Sequence, residues 1–168
     1  MSLPNGQDDK SRQRVFSPES KLMKYISKTE KETYQIAARL AKKLKGGEII
    51  ALEGELGAGK TTFVKGLAKA FGIKQHVTSP TFVLMKVYEC QMPKSEIRKL
   101  VHVDCYRLDE PQELFYLGIE EYLNKPDTVV MIEWADKIKN YLKKFKKMIR
   151  IKIKIKDVQR LIILNIKN

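Results

Sequence analysis

Apolar and polar positions change period several times along the chain, and each change marks an element. Ile36, Ala37, Leu40, Ala41 and Leu44 recur at three- and four-residue spacing, which predicts a helix with one buried face running to about Lys45. Ser27-Lys-Thr-Glu30 has the spacing of a capping box and predicts its start, while Gly46-Gly47 predicts its end. "EIIAL" (48–52) reads as a short buried strand, and "TTFVKGLAKAF" (61–71) as a second amphipathic helix closed by Gly72. "TFVLMKVYE" and "RKLVHVDCY" predict two strands of a hairpin with a loop around Pro93. "PQELFYLGIEEYL" predicts a helix with Pro111 near its first turn. "TVVMIEW" is apolar almost without alternation, as a strand covered on both faces must be. After a basic helix, "MIRIKIKIK" alternates strictly, the pattern of a strand with one wet face, and pairs with "RLIILNI" across the "DVQR" turn.

Strands alternating with helices, without repeats or linkers, predict one α/β domain over residues 21–168. Residues 1–20 are polar, unpatterned and rich in turn formers, and read as a disordered leader, with order starting near Leu22. No apolar run approaches the roughly 18 residues of a membrane span, and no signal-peptide pattern is present, so a soluble cytoplasmic protein with no membrane contact is expected. Cys90 and Cys105 lack metal or redox spacing, and His76 and His102 are too scattered to complete a zinc site. Both thiols read as reduced bystanders.

Candidate chemistry is concentrated in "EGELGAGKTT" (53–62), which spends three of ten positions on glycine and then sets Lys60, Thr61 and Thr62 where a helix begins. Gly54-x-x-x-x-Gly59-Lys60-Thr61 fits the phosphate-binding P-loop pattern. Bare backbone lets successive N–H groups turn inward around phosphate oxygens, and the helix that follows adds the positive end of its dipole. The nucleotide-binding set is therefore Gly54, Glu55, Leu56, Gly57, Ala58, Gly59, Lys60, Thr61 and Thr62, with Lys60 bridging the β- and γ-phosphates and the Thr61 hydroxyl on Mg²⁺. The loop sharpens the fold class to a P-loop NTPase-like sheet of mostly parallel strands flanked by helices, with an antiparallel C-terminal hairpin.

A P-loop needs acidic partners at neighbouring strand ends. Asp104 closes "KLVHVD" and Glu133 closes "VVMIE"; one would hold Mg²⁺ through water while the other orients or deprotonates the attacking water. Together with Lys60 they form the expected catalytic set, and with Thr61 the expected metal set. The loop "VTSPTF" (77–82) offers the hydroxyls of Thr78, Ser79 and Thr81 around a rigid Pro80, suited to reaching Mg²⁺ or the γ-phosphate and to moving when that phosphate leaves. Trp134 reads as core. "NKPD" (124–127) matches the guanine-reading NKxD pattern, but it precedes a strand instead of following one and no DxxG accompanies it, so it reads as a turn.

With these residues assembled, the chain resembles the bacterial TsaE family of P-loop ATPases, through "EGELGAGKTT", "TSPTF", "HVDCYRL" and "IEWAD" in that order. The resemblance covers roughly residues 25–168. It implies a protein that binds ATP with Mg²⁺ and hydrolyses it within the machinery making threonylcarbamoyladenosine in tRNA, working with TsaB and the catalytic subunit TsaD. Carried over by motif, Lys60 and Thr61 are the phosphate and Mg²⁺ residues, Asp104 and Glu133 the acidic pair, Thr81 a member of the switch loop, and Arg107 part of the "YRL" element. "NYLKKFKKMIRI" (140–151) departs from the family in lacking a proline before its strand, which leaves that loop and anything it binds unaccounted for.

Charge adds one more expectation. Of a formal net charge of +13, most resides between Lys137 and Lys156, which hold ten Lys or Arg and no acidic residue. Such a segment suits contact with tRNA phosphates; it equally suits a solvated strand face whose lysines discourage edge pairing. Two other functions share the P-loop. A small-molecule kinase needs an acceptor pocket and an arginine-bearing lid, and the lysine-rich sequence after "VVMIEW" supplies no obvious lid. A non-hydrolysing adaptor would keep Lys60 and Thr61 and tolerate loss of Glu133.

Overall fold

The run Thr128–Glu133 is buried at all six positions, and it lies inside a seven-stranded sheet. The structure, a computed structural model, describes residues 21–166; the expected leader, residues 1–20, lies outside the described residues. Strand β1 (Lys21–Ser27) leads into helix α1 (Glu30–Ala41), then β2 (Ile49–Glu53), α2 (Lys60–Ala70), β3 (Met85–Glu89) and β4 (Lys99–Asp104). A one-turn helix α3 (Glu113–Tyr116) precedes β5 (Thr128–Glu133), and a short α4 (Lys139–Leu142) precedes β6 (Met148–Lys156) and β7 (Gln159–Ile166).

The sheet runs β1-β7-β6-β2-β5-β4-β3. Its centre, β6-β2-β5-β4, is parallel, while β3 and the β1-β7-β6 side pair antiparallel, so the expected α/β class with a C-terminal hairpin is borne out. Alternation divides the core between two faces. Ile50 and Leu52 of β2 and Val129 and Met131 of β5 meet Phe63, Leu67 and Leu40 of α2 and α1. Ile49, Ala51, Val130 and Ile132 face Leu114, Ile119, Ile138 and Leu142 on the other side. The two long helices touch at Gly66, where a Cβ would lie 2.8 Å from the Tyr34 Cα and 2.9 Å from the Ala37 Cβ.

Six local expectations change. β1 is a strand the pattern did not announce; it pairs with β7 along its whole length, which carries strand structure through Ser27. The helix cap therefore moves two residues on: Thr29 Oγ1 accepts from the Glu32 N–H at 3.2 Å, and Glu32 Oε2 accepts from the Lys28 N–H at 2.6 Å. Helix α1 ends at Ala41, short of Lys45. The segment 111–123 is not one helix, because Gly118 takes φ 71 and separates α3 from a single 3₁₀ turn, Ile119–Glu121. Thr81–Val83 form a turn and not the start of β3, and the basic helix after β5 shrinks to a 3₁₀ turn plus α4.

Candidate functional site

β2, β4 and β5 are parallel neighbours, so their last residues come to one end of the sheet. Asp104 and Glu133 are register partners across β4 and β5, and Leu52 of β2 stands beside Glu133. Period-two alternation turns His102 and Asp104 on β4, and Glu133 on β5, toward the α1/α2 side. The loop after β2 then crosses this edge with Gly54, Gly57 and Gly59 at φ 154, 75 and 102, torsions that side chains oppose. Gly59 caps α2 without a side-chain acceptor, leaving the first-turn N–H groups of an 11-residue helix facing outward.

The loop, "TSPT" and the two strand ends enclose a cleft of about 360 Å³, lined by Lys60, Thr61, Ser79, Thr81, Asp104 and Glu133 among others. Asp104 and Glu133 are each only 2% exposed, and every carboxylate oxygen is held. Thr61 Oγ1 donates to Glu133 Oε1 at 2.9 Å and Oε2 at 3.0 Å, and His102 Nε2 lies 2.8 Å from Oε1. Asp104 Oδ2 accepts from Thr81 Oγ1 at 2.9 Å and from Ser79 Oγ, and its Oδ1 accepts from the Tyr106 N–H at 2.9 Å. One carboxylate is thus tied to the loop's helix and the other to "TSPT".

Lys60 is 5% exposed, and its Nζ donates to the carbonyls of Gly54 at 2.7 Å and Glu55 at 2.9 Å while standing 3.7 Å from the Trp134 ring centroid. Burial pulls its ammonium below the ordinary lysine range; the carboxylates of Glu133, Asp104, Asp136 and Glu55 oppose that shift. Trp134, at φ 57, makes the sharp bend after β5 that lays its ring beneath Lys60 and 5.0 Å from Tyr106. The reading of Trp134 as core is therefore half right, since the ring both packs on the sheet and walls the cleft. Arg107 does not reach the carboxylates. Its guanidinium covers the Phe82 ring at 4.4 Å, joining the end of β4 to "TSPTF".

The residues expected to bind phosphate or metal or to act in catalysis lie on this edge: Gly54 to Thr62 in the loop, Thr81, Asp104 and Glu133 facing it. Thr78 is turned away, its hydroxyl accepting from Lys86 Nζ at 3.0 Å. Sequence reasoning passed over His102, weighed only as a metal ligand. Its position two before Asp104 on the same strand face was the available signal. The "NKPD" turn sits at the opposite end of β5, with Asn124 at φ 59, and cannot meet a nucleotide held here.

The residues suit a divalent ion as well as a phosphate. Among the described residues no three His, Cys, Asp or Glu gather as a metal cage. A hydroxyl and two carboxylates are instead hard oxygen donors for Mg²⁺, which keeps waters and phosphate oxygens as its other ligands.

Comparison with known proteins agrees with this geometry. The family model for the threonylcarbamoyl adenosine biosynthesis protein TsaE matches residues 27–162. Relatives described as tRNA threonylcarbamoyladenosine biosynthesis protein TsaE include one from Bacillus subtilis, 39% identical over 79% of this chain and 78% of its own. Those from Rickettsia typhi and Rickettsia felis are 38% and 41% identical, over 77% and 70% of this chain and 84% and 65% of theirs. The crystal structure of Bacillus subtilis YdiB superposes with a TM-score of 0.71 at 33% identity, covering 90% of both chains. By sequence and by fold, this chain belongs to the TsaE family of tRNA threonylcarbamoyladenosine biosynthesis proteins.

Proposed function

We propose that the protein is a cytoplasmic, Mg²⁺-dependent ATPase subunit that supports threonylcarbamoyladenosine formation in tRNA together with TsaB and TsaD. The observation that carries this reading is the meeting of Lys60, Thr61, Asp104 and Glu133 around one cleft at the mouth of a glycine-lined loop. The loop N–H groups and the start of α2 receive the phosphates, and Lys60 exchanges its two carbonyl partners for phosphate oxygens. Thr61 and Glu133, already joined, hold the Mg²⁺ site, with His102 keeping the Glu133 carboxylate in place. The ion supplies charge neutralisation at the phosphates. Asp104, tied to the hydroxyls of Ser79 and Thr81, orients the attacking water from the outer side of the cleft, and "TSPT" senses whether the terminal phosphate is present.

The basic segment 137–156 would contact the tRNA. Lys137 is committed to the Tyr106 and Leu108 carbonyls and Arg150 to Glu53, while its other eight cations are exposed and within the described residues pair with no carboxylate.

ATP hydrolysis measured alone and then with TsaB and TsaD tests the reading. Slow turnover that rises on assembly, and falls by about 10² or more in Asp104→Asn, is the expected result. Glu133→Gln is expected to raise the Mg²⁺ concentration needed for half-maximal turnover. Turnover indifferent to both variants and to the partners would overturn the proposal.

A further inference from the structure

The first residues of β2, β5 and β6 share the end of the sheet opposite the phosphate loop. There the turns leading into these strands enclose a second cleft of about 630 Å³. Lys144, Lys146 and Lys147 line it against a single carboxylate, Glu120, and Asn124 of the "NKPD" turn forms part of the opposite wall. Lysine and aromatic surface are interleaved: Lys144 Nζ stands 4.0 Å from the Tyr141 ring centroid and 5.2 Å from that of Phe145. The Tyr141 hydroxyl is buried with no hydrogen-bond partner. Burial, reinforced by Glu120, raises its pKa, so it remains a donor lacking an acceptor.

Uncompensated ammonium groups, ring faces and an orphaned donor share one complement, a phosphate strand whose bases can stack. The volume lies within the range of small-ligand sites, so a nucleotide unit can enter it. We propose that this cleft binds a single-stranded segment of RNA, with phosphates on Lys144 and Lys147 and a base against Tyr141 and Phe145. The tRNA-directed reading identifies the polyanion as RNA; the site itself requires no ATP hydrolysis.

Binding of a fluorescently labelled single-stranded RNA, followed by anisotropy across a salt series, tests this directly. Lys144→Glu with Lys147→Glu is expected to weaken binding about tenfold or more and to make the salt slope shallower by about 1.4, two contacts at roughly 0.7 each. Lys24→Glu with Lys31→Glu makes the same charge change at exposed positions outside both the cleft and the basic segment and is expected to cost about threefold or less. Tyr141→Phe should weaken binding about threefold with an unchanged slope, and Glu120→Gln should strengthen it. Equal losses from the two lysine pairs, no binding by the unaltered protein, or equal competition by polyglutamate would each overturn the proposal. Hydrolysis assayed on the unaltered protein separates the two readings, because RNA binding without turnover would sink only the ATPase reading, and turnover without RNA binding only this one.

Discussion

The two ends of the parallel sheet treat charge in opposite ways. At the phosphate-loop end, Lys60, Asp104 and Glu133 are buried, and each polar tip already has partners within 3.0 Å. At the far end the lysines are exposed and act through their summed field. Buried charge is tolerated only when geometry satisfies it, so the first end is specific and sensitive to single atoms. Exposed charge is forgiving of geometry and is weakened by salt instead.

Lys60→Met should break the specific end most severely. Losing a charged donor worth about 3 kcal/mol predicts roughly a hundredfold weaker ATP binding, readable by Trp134 fluorescence. Thermal stability should hold or rise, because burial disfavours the native ammonium. Salt should affect the two ends differently. From 50 to 200 mM, the two phosphate contacts on Lys144 and Lys147 predict roughly a sevenfold loss of RNA affinity, against a change of less than about twofold in ATP hydrolysis. A parallel fall in both would erase the distinction.

His102→Leu sharpens the comparison further. Freed of the 2.8 Å contact, Glu133 should hold Mg²⁺ about tenfold less tightly, with the ATP KM nearly unchanged, and His102→Gln should restore most of the loss. Equal loss in both variants would reduce His102 to packing. The smallest effect is expected at the thiols, even though Cys105 follows Asp104 and its N–H donates to the Glu133 carbonyl. Burial pushes Cys90 and Cys105 up to about 12. A raised thiol pKa leaves about 10⁻⁴ as thiolate at pH 8 and the fraction grows only as pH climbs, so iodoacetamide at pH 8 should alter turnover by less than about twofold.

Elements whose character depends on their own burial pattern were legible in advance. β5 and β6, the helix Lys60–Ala70 and the β3–β4 hairpin are where periodicity put them, apart from the first four residues expected of β3. The candidate site was equally legible as a set of residues, because a glycine pattern and strand-end carboxylates are local signals. Elements decided by neighbours were not: β1 exists through its pairing with β7, and that pairing moved the helix cap from Ser27 to Thr29. The 111–123 segment has helical composition, yet Gly118 at φ 71 breaks it where its two halves pack Leu114 and Ile119 under the sheet.

Residue type at short spacing is enough to specify the phosphate loop, the strand-end acids, the α/β order and the excess of cations. Long-range packing is what has Glu133 gripped by Thr61 and His102 while Asp104 is gripped by "TSPT". It alone set the "NKPD" turn and the lysines into one cleft at the opposite end. Those relations join residues dozens of positions apart, and what sets them is the parallel register of β2, β4, β5 and β6, which no local pattern encodes.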